Sequence, residues 1–238
     1  MIRTKWVLPI VFFLLPGASP VHAGLMELED VFYSCSDADR YVQANFAGAF
    51  SNIESGGFNT AGGFPNTGGS DDSGVGFGGA IGLSKSFDSV RVRTEIEGMW
   101  RQDSSYVTDS FPGPPGPITF LYQVQSTDNW SAMSNLWLDV PVAEDLWLYG
   151  GGGIGAAGMN LSVNDGVVTG NRTQTNFAYQ FGTGLILPVG ANAELDLGYR
   201  FLDLGDTTIP LTAAFPAGDY TADMVSHQIM FCVRLFVR

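Results

Sequence analysis

Residues 193–203, A-E-L-D-L-G-Y-R-F-L-D, alternate between apolar and polar positions. The odd-numbered positions are apolar as far as Phe201, and the even-numbered positions carry Glu194, Asp196 and Arg200. This pattern predicts a β-strand with one apolar and one polar face, because successive side chains of a strand point to opposite sides. A soluble barrel turns its charged face to water, whereas a membrane barrel turns the apolar face to lipid and encloses the charges. The direction of the apolar face therefore decides the class of protein.

Seven further segments carry a comparable alternation. The connections after the second, fourth and sixth segments have two to four residues, whereas the other four, 51–74, 103–130, 160–175 and 205–223, are long. Short turns at one end, long loops at the other and an even number of strands are the arrangement of outer-membrane barrels. The sequence therefore predicts an all-β fold, an eight-stranded antiparallel up-and-down transmembrane β-barrel. Its predicted strands are 41–50, 75–87, 90–102, 131–142, 146–159, 177–188, 193–203 and 228–237.

The beginning of the chain has the features of a secretory signal. Arg3 and Lys5 precede an apolar core at 6–15, and Val-His-Ala at 21–23 is a small-residue cleavage site. The apolar core is shorter than the roughly 20 residues that a membrane-spanning helix needs. We expect a signal peptide at 1–23, an acidic periplasmic leader at 24–40 and an outer-membrane barrel at 41–238.

Composition narrows the choice of class. The net charge of −13 argues against nucleic acid as a partner. Charged residues make up 15% of the chain, against about 25% in typical soluble domains, while glycine and aromatic residues are abundant. A secreted soluble β-sandwich fits this composition equally well. Alternating connection lengths favour the barrel, because a Greek-key sandwich has no reason to alternate in this way.

If the apolar face meets lipid, the lumen collects ten charged residues, five of each sign. Buried charges must be paired or they cost several kcal/mol each. Eight strands leave an interior that side chains fill, so we expect a plugged lumen held by a charge network, with an ion path as the alternative. The members are Arg91, Arg93, Glu95, Glu97, Arg101, Asp139, Glu194, Asp196, Arg200 and Arg234.

Several strand motifs resemble small outer-membrane β-barrel proteins of the opacity-porin and surface-antigen type, related in architecture to the OmpA transmembrane domain. They are G-F-G-G-A-I-G at 76–82, R-V-R-T-E-I-E at 91–97, S-N-L-W-L-D-V at 134–140, A-Y-Q-F-G-T-G at 178–184, E-L-D-L-G-Y-R-F at 194–201 and S-H-Q-I-M-F-C-V-R-L-F at 226–236. The resemblance implies a Gram-negative outer membrane, insertion by the barrel assembly machinery, and roles as adhesin, surface antigen or narrow pore. Such chains usually end in a lipid-facing aromatic residue, whereas this chain ends in Val237 and Arg238.

We therefore expect a structural anchor or a surface-exposed interaction protein that acts through four long acidic loops, with a narrow low-conductance pore as the alternative. The expected partners are outer-membrane lipid, lipopolysaccharide, the assembly machinery and an extracellular loop ligand. An outer-leaflet lipid-modifying enzyme is the remote alternative, resting on His227 beside Ser226, and we expect no catalytic residue, cofactor or metal. Cys35 and Cys232 form a candidate disulfide, although Cys232 falls well inside the last strand.

Overall fold

A computed structural model describes residues 38–59, 71–109, 121–164, 169–212 and 218–237. The signal peptide and almost all of the leader lie outside these residues, as does Arg238. The described residues belong to one compact unit, 37–238, and include no helix long and apolar enough to span a bilayer. The strands are β1 Asp39–Asn59, β2 Asp71–Phe87, β3 Val90–Arg101, β4 Ser104–Asp109, β5 Leu121–Ala143, β6 Leu146–Asn164, β7 Thr169–Pro188, β8 Ala193–Leu211 and β9 Gly218–Val237.

The strands close into one antiparallel barrel. Successive strands pair in order, β9 pairs with β1, and both β3 and β4 pair with β5. β3 and β4 contact different parts of β5, because Arg101 faces Asn129 while Ser104 faces Ser126. They are therefore two halves of one barrel strand, interrupted at 102–103. The predicted eight-stranded up-and-down barrel is confirmed.

The predicted strand boundaries are wrong at the long-loop end. β-Structure continues through 51–59, 104–109, 121–130, 160–164, 205–211 and 218–223, all of which the sequence pattern placed in loops. β6, for example, has 19 residues and measures about 60 Å at ~3.3 Å per residue. Even with a tilt of ~40°, that length is nearly twice the ~25 Å of an outer-membrane apolar band. The barrel therefore extends well beyond the membrane.

The half of the barrel that adjoins the short turns is called the lower half, and the half that adjoins the long connections is called the upper half. The outer face of the lower half is apolar. Ile81, Ile154 and Phe177 are 60–67% exposed, and the outward positions of the described segments that form this band carry no charged side chain. From Val42 to Phe50 the band measures about 26 Å along β1, at ~3.3 Å per residue. A continuous apolar belt of this size has no place on a soluble monomer. The apolar parity faces lipid, as predicted.

Backbone irregularities separate the lower from the upper half. Asp128 in β5 has φ 54° and Gly205 in β8 has φ 77°, and the strand register shifts at both positions. At each bulge the inward-facing positions change between odd and even residue numbers. In β5 they are odd in the lower half and even in the upper half, and in β8 they are even in the lower half and odd in the upper half. An extra residue on one strand reverses which side chains face inward. The break between β3 and β4 lies opposite Asp128, so the irregularities form a common level.

Candidate functional site

The lumen of the lower half is filled by the predicted charged residues, and all ten are buried. β3 supplies five of them, at every second position from Arg91 to Arg101 except Met99. The remaining five lie on β5, β8 and β9. Because these strands surround one interior, residues far apart in sequence lie close together.

A chain of ion pairs crosses the lumen near the short-turn end of the barrel. Asp139 Oδ2 accepts hydrogen bonds from Arg91 Nε at 2.8 Å and from Arg93 Nε at 2.7 Å, and Arg93 Nη2 donates to Asp139 Oδ1 at 2.9 Å. Arg91 Nη1 and Arg234 Nη1 each donate to Glu194 at 2.5 Å. Arg234 Nη2 continues the chain to Asp196. Each arginine thus shares its charge with at least one acid, which offsets the cost of burial.

The other two acids are held differently. Glu95 makes no ion pair within 4 Å among the described residues but accepts hydrogen bonds from Tyr41 Oη at 2.8 Å, Asn135 Nδ2 at 3.0 Å and Trp137 Nε1 at 2.8 Å. These uncharged donors were missed in the sequence, although they share the inward parity of their strands. A buried carboxylate is stabilised by several hydrogen bonds of this kind.

Glu97 lies at the centre of a second cluster. Arg200 Nη1 donates to both of its oxygens at 2.7 Å, Asn45 Nδ2 donates at 2.9 Å, and Gln180 Nε2 approaches to 3.5 Å. Glu97 is therefore fully occupied.

Aromatic rings cover the guanidinium groups. Arg91 lies 5.1 Å from the ring of Trp147, and Arg93 lies 5.4 Å from that of Tyr149. Glycine makes room for Tyr149, since a Cβ on Gly198 would lie 2.1 Å from its hydroxyl. Cation–π contact and close packing thus fill the space between the ion pairs. Arg200 and Arg234 are covered by Trp137 and Tyr41 in the same way.

Arg101 does not join the ion pairs. Its Nη2 donates to Ser131 Oγ at 3.0 Å, while Nε and Nη1 have no hydrogen-bond partner among the described residues. Although the ten residues carry five positive and five negative charges, Arg101 and Glu95 form no ion pair with each other or with another described residue. Arg101 is the last residue of β3 and borders a cavity of about 20 Å³.

Above Arg101 the interior becomes apolar. The sequence pattern did not indicate this cluster, because the bulges reverse the inward parity in β5 and β8. It gives the extension beyond the membrane its own core, whose burial stabilises the extension by the hydrophobic effect. Its members include Ile53, Tyr106, Val124, Met159, Leu161, Val163, Leu204, Ile209, Leu211, Tyr220 and Met224.

One seam of the extension is closed by side chains. Backbone pairing of β7 with β8 runs only from Tyr179 opposite Asp203 to the short-turn end, and it resumes as an isolated bridge between Thr169 and Thr212. Between these points, side chains of β7 donate to carbonyl groups of β8. Asn176 Nδ2 reaches Leu204 O and Asp206 O at 3.0 Å, Gln174 Nε2 reaches Asp206 O at 2.8 Å, and Arg172 Nη1 reaches Thr208 O at 2.8 Å.

The outer wall of the extension carries a polar groove of about 580 Å³ across β5 to β8. Its outward lining consists mainly of uncharged amide and hydroxyl side chains on neighbouring strands, in rows set by the strand register. These groups donate and accept hydrogen bonds, as extracellular polar ligands require. They are Gln123, Gln125, Ser162, Asn164, Thr169, Asn171 and Thr212.

His227 and Ser226 point to opposite faces of β9. His227 Nδ1 lies 2.6 Å from Tyr199 Oη on the lipid side and its ring packs on Phe201, whereas Ser226 is buried in the lumen. Among the described residues, no serine or carboxylate is recorded as a hydrogen-bond partner of His227. The arrangement is that of an aromatic group at the membrane interface.

Cys232 is buried on the lumen side, beside Ala47, Met99 and Met230. Cys35 lies outside the described residues, so its pairing with Cys232 stays a prediction. Asp71 is exposed and Asp72 is half-buried, and Asp72 accepts hydrogen bonds from the backbone of Ser73 and Ser105. In the part of the chain that the structure describes, no group of three or more His, Cys, Asp or Glu side chains is placed to hold a metal ion.

A closed eight-stranded barrel with a lipid-facing apolar belt and a filled polar lumen defines the class of small membrane-spanning β-barrels. Residues 38–229 match the family model described as outer membrane protein beta-barrel domain, and the chain belongs to this family. Its location is therefore the outer membrane of a Gram-negative bacterium. No curated protein matches the chain.

Solved structures of outer-membrane barrels are similar to the chain at low identity. Neisserial surface protein A is 16% identical, covers 83% of this chain and 97% of its own, and gives a TM-score of 0.44. OprG from Pseudomonas aeruginosa is 12% identical, with coverages of 84% and 97% and a TM-score of 0.49. Ail of Yersinia pestis, solved with the heparin analogue sucrose octasulfate, is 13% identical, with coverages of 82% and 99% and a TM-score of 0.33. We assign the family on the domain match alone.

Proposed function

We propose that this outer-membrane barrel is a non-enzymatic structural anchor that presents a surface-exposed interaction site, and that its lumen is closed. The observation that carries the proposal is the filling of the interior at two levels. In the membrane half, the side chains of Arg93, Asp139 and Arg234 are at most 2% exposed. In the extension, the apolar cluster replaces the charged one.

The narrow-pore alternative requires a continuous wetted path past these two levels. Ion conduction needs a path along which water or polar groups replace the hydration shell of the ion. Here the charged groups contact each other and aromatic rings, and the apolar cluster lies above them. The structure thus favours the anchor over the pore.

We further propose the partners of each surface. The apolar belt contacts outer-membrane lipid, and the polar wall just above it is at the height of lipopolysaccharide sugars. The polar groove is the surface for an extracellular ligand. We propose insertion by the barrel assembly machinery, and membership of the outer-membrane barrel family supports this proposal.

Planar-bilayer recording tests the closed lumen. We expect no reproducible single-channel steps from the purified protein. A matched variant, Trp137→Gly with Arg200→Gly, removes a packed ring and its guanidinium from the lumen and serves as the opened control. Steps from the unmodified protein that equal those of the opened variant would establish the pore instead.

Epitope insertion tests surface presentation. A tag at residue 115, in the long connection between β4 and β5, should bind antibody on intact cells. The same tag at Gly190, in the short β7–β8 turn, should bind antibody only after the outer membrane is permeabilised. The first tag should replace residues within 110–120, because this segment lies between β4 and β5. A change over the whole of 103–130 would remove β4 and part of β5. Labelling of the Gly190 tag on intact cells would overturn the proposed orientation.

A further inference from the structure

Arg101 is a buried guanidinium without an acid. It is 5% exposed, and within the described part of the chain only Nη2 has a hydrogen-bond partner, the neutral Ser131 hydroxyl. Glu97 lies four residues earlier on the same inward face of β3, but Arg200, Asn45 and Gln180 occupy it. The other four acids of the network are held by the ion pairs and hydrogen bonds described above. Arg101 therefore makes no ion pair within 4 Å among the described residues, and Glu97 is held by other donors.

The cavity beside Arg101 has a size and a lining that fit one small ion. A volume of about 20 Å³ holds one water molecule or a monatomic ion of similar size. Ser126 and Asn129, which line it, are already hydrogen-bonded to each other, with Ser126 Oγ donating to Asn129 Oδ1 at 2.6 Å. Met159 and Leu204 supply apolar walls, and no acidic residue is among the described residues that line it. Arg101 is thus the charged group that the cavity presents.

We propose that this cavity binds one small monovalent anion of chloride size through Arg101. Leaving a buried charge uncompensated costs several kcal/mol, and a water molecule supplies a hydrogen bond but no countercharge. A halide supplies both, since it accepts hydrogen bonds from Nε and Nη1 and neutralises the guanidinium. The anion closes the boundary between the charged lumen and the apolar cluster.

Thermal unfolding of the detergent-folded barrel in sodium chloride and in sodium gluconate at equal ionic strength tests the site. Gluconate is too large for the cavity. Chloride at ten times its dissociation constant should raise Tm by about 3–6 °C in a saturable manner. Arg101→Met should abolish the difference, whereas the exposed control Arg40→Met should keep it. Equal Tm values in both salts, the result of a cavity that holds water only, would overturn the proposal, as would a chloride response that survives in Arg101→Met.

If Arg101→Met does not fold, the unmodified protein still decides the question. Bound chloride should broaden the ³⁵Cl resonance of the solution, and bromide should displace it and restore the line width. A line width equal to that of detergent alone would rule out the site.

Discussion

Removing the Arg93 side chain should destabilise the barrel more than any exposed charge substitution. Arg93 is 1% exposed and donates two hydrogen bonds to Asp139, which is fully buried. In Arg93→Met, Asp139 keeps only Arg91 as a cationic partner. Each hydrogen bond to a buried charged group is worth about 1.5–3 kcal/mol, and breaking a buried ion pair costs about 3–5 kcal/mol. We expect a loss of ~3–5 kcal/mol in the free energy of unfolding.

Gel-shift melting of the folded barrel measures this loss. For a chain of this size, ~3–5 kcal/mol corresponds to a decrease in Tm of about 6–20 °C. The matched control is Arg40→Met, because Arg40 is exposed at the start of β1 and exposed pairs contribute about 0–1 kcal/mol. The double variant Arg93→Met with Asp139→Asn should recover part of the loss, since it restores equal numbers of positive and negative charges in the lumen. A Tm of Arg93→Met equal to that of Arg40→Met would refute the buried network.

Two further changes probe the belt and the bulge. Ile154→Lys, in the lipid-facing belt, should cost about 2–4 kcal/mol, whereas Gln125→Lys on the wall above should leave urea stability unchanged; equal effects would contradict the belt. Gly205→Ala places a Cβ at φ 77° and 3.0 Å from Phe177 O, so we expect ~1–2 kcal/mol of destabilisation, against no change for Gly190→Ala.

The sequence predicted the membrane half of the barrel because one strand period holds throughout each segment there. The parity of β3, of β5 below Asp128, of residues 193–201 and of β9 up to Val237 places every predicted lumen charge inside. The extension was missed because the bulges at Asp128 and Gly205 reverse the inward parity within a strand. Because the alternation breaks at the bulge, the pattern there resembles the start of a loop. The intact alternation of Tyr220, Ala222 and Met224 into β9 was the signal that could have revealed it.

The charge network could be predicted as a set but not as pairs. Parity places Glu95 and Arg101 on the same inward face of β3. It does not predict the register between β3 and its neighbours, and so it does not predict which side chains lie beside them. Glu95 is satisfied by Tyr41, Asn135 and Trp137, and Arg101 is left without an acid. Partner identity depends on the shear of the closed barrel, which strand periodicity does not contain.

The direction of the apolar face is the central claim, and NMR contacts between methyl groups and detergent acyl chains test it directly without any substitution. We expect nuclear Overhauser effects from the acyl chains to the methyl groups of Ile154, Leu197 and Ile229, which face outward, and none to those of Ile186 and Met230, which are buried in the lumen. Acyl-chain contacts to Ile186 and Met230 in place of the outward set would contradict the membrane barrel described above.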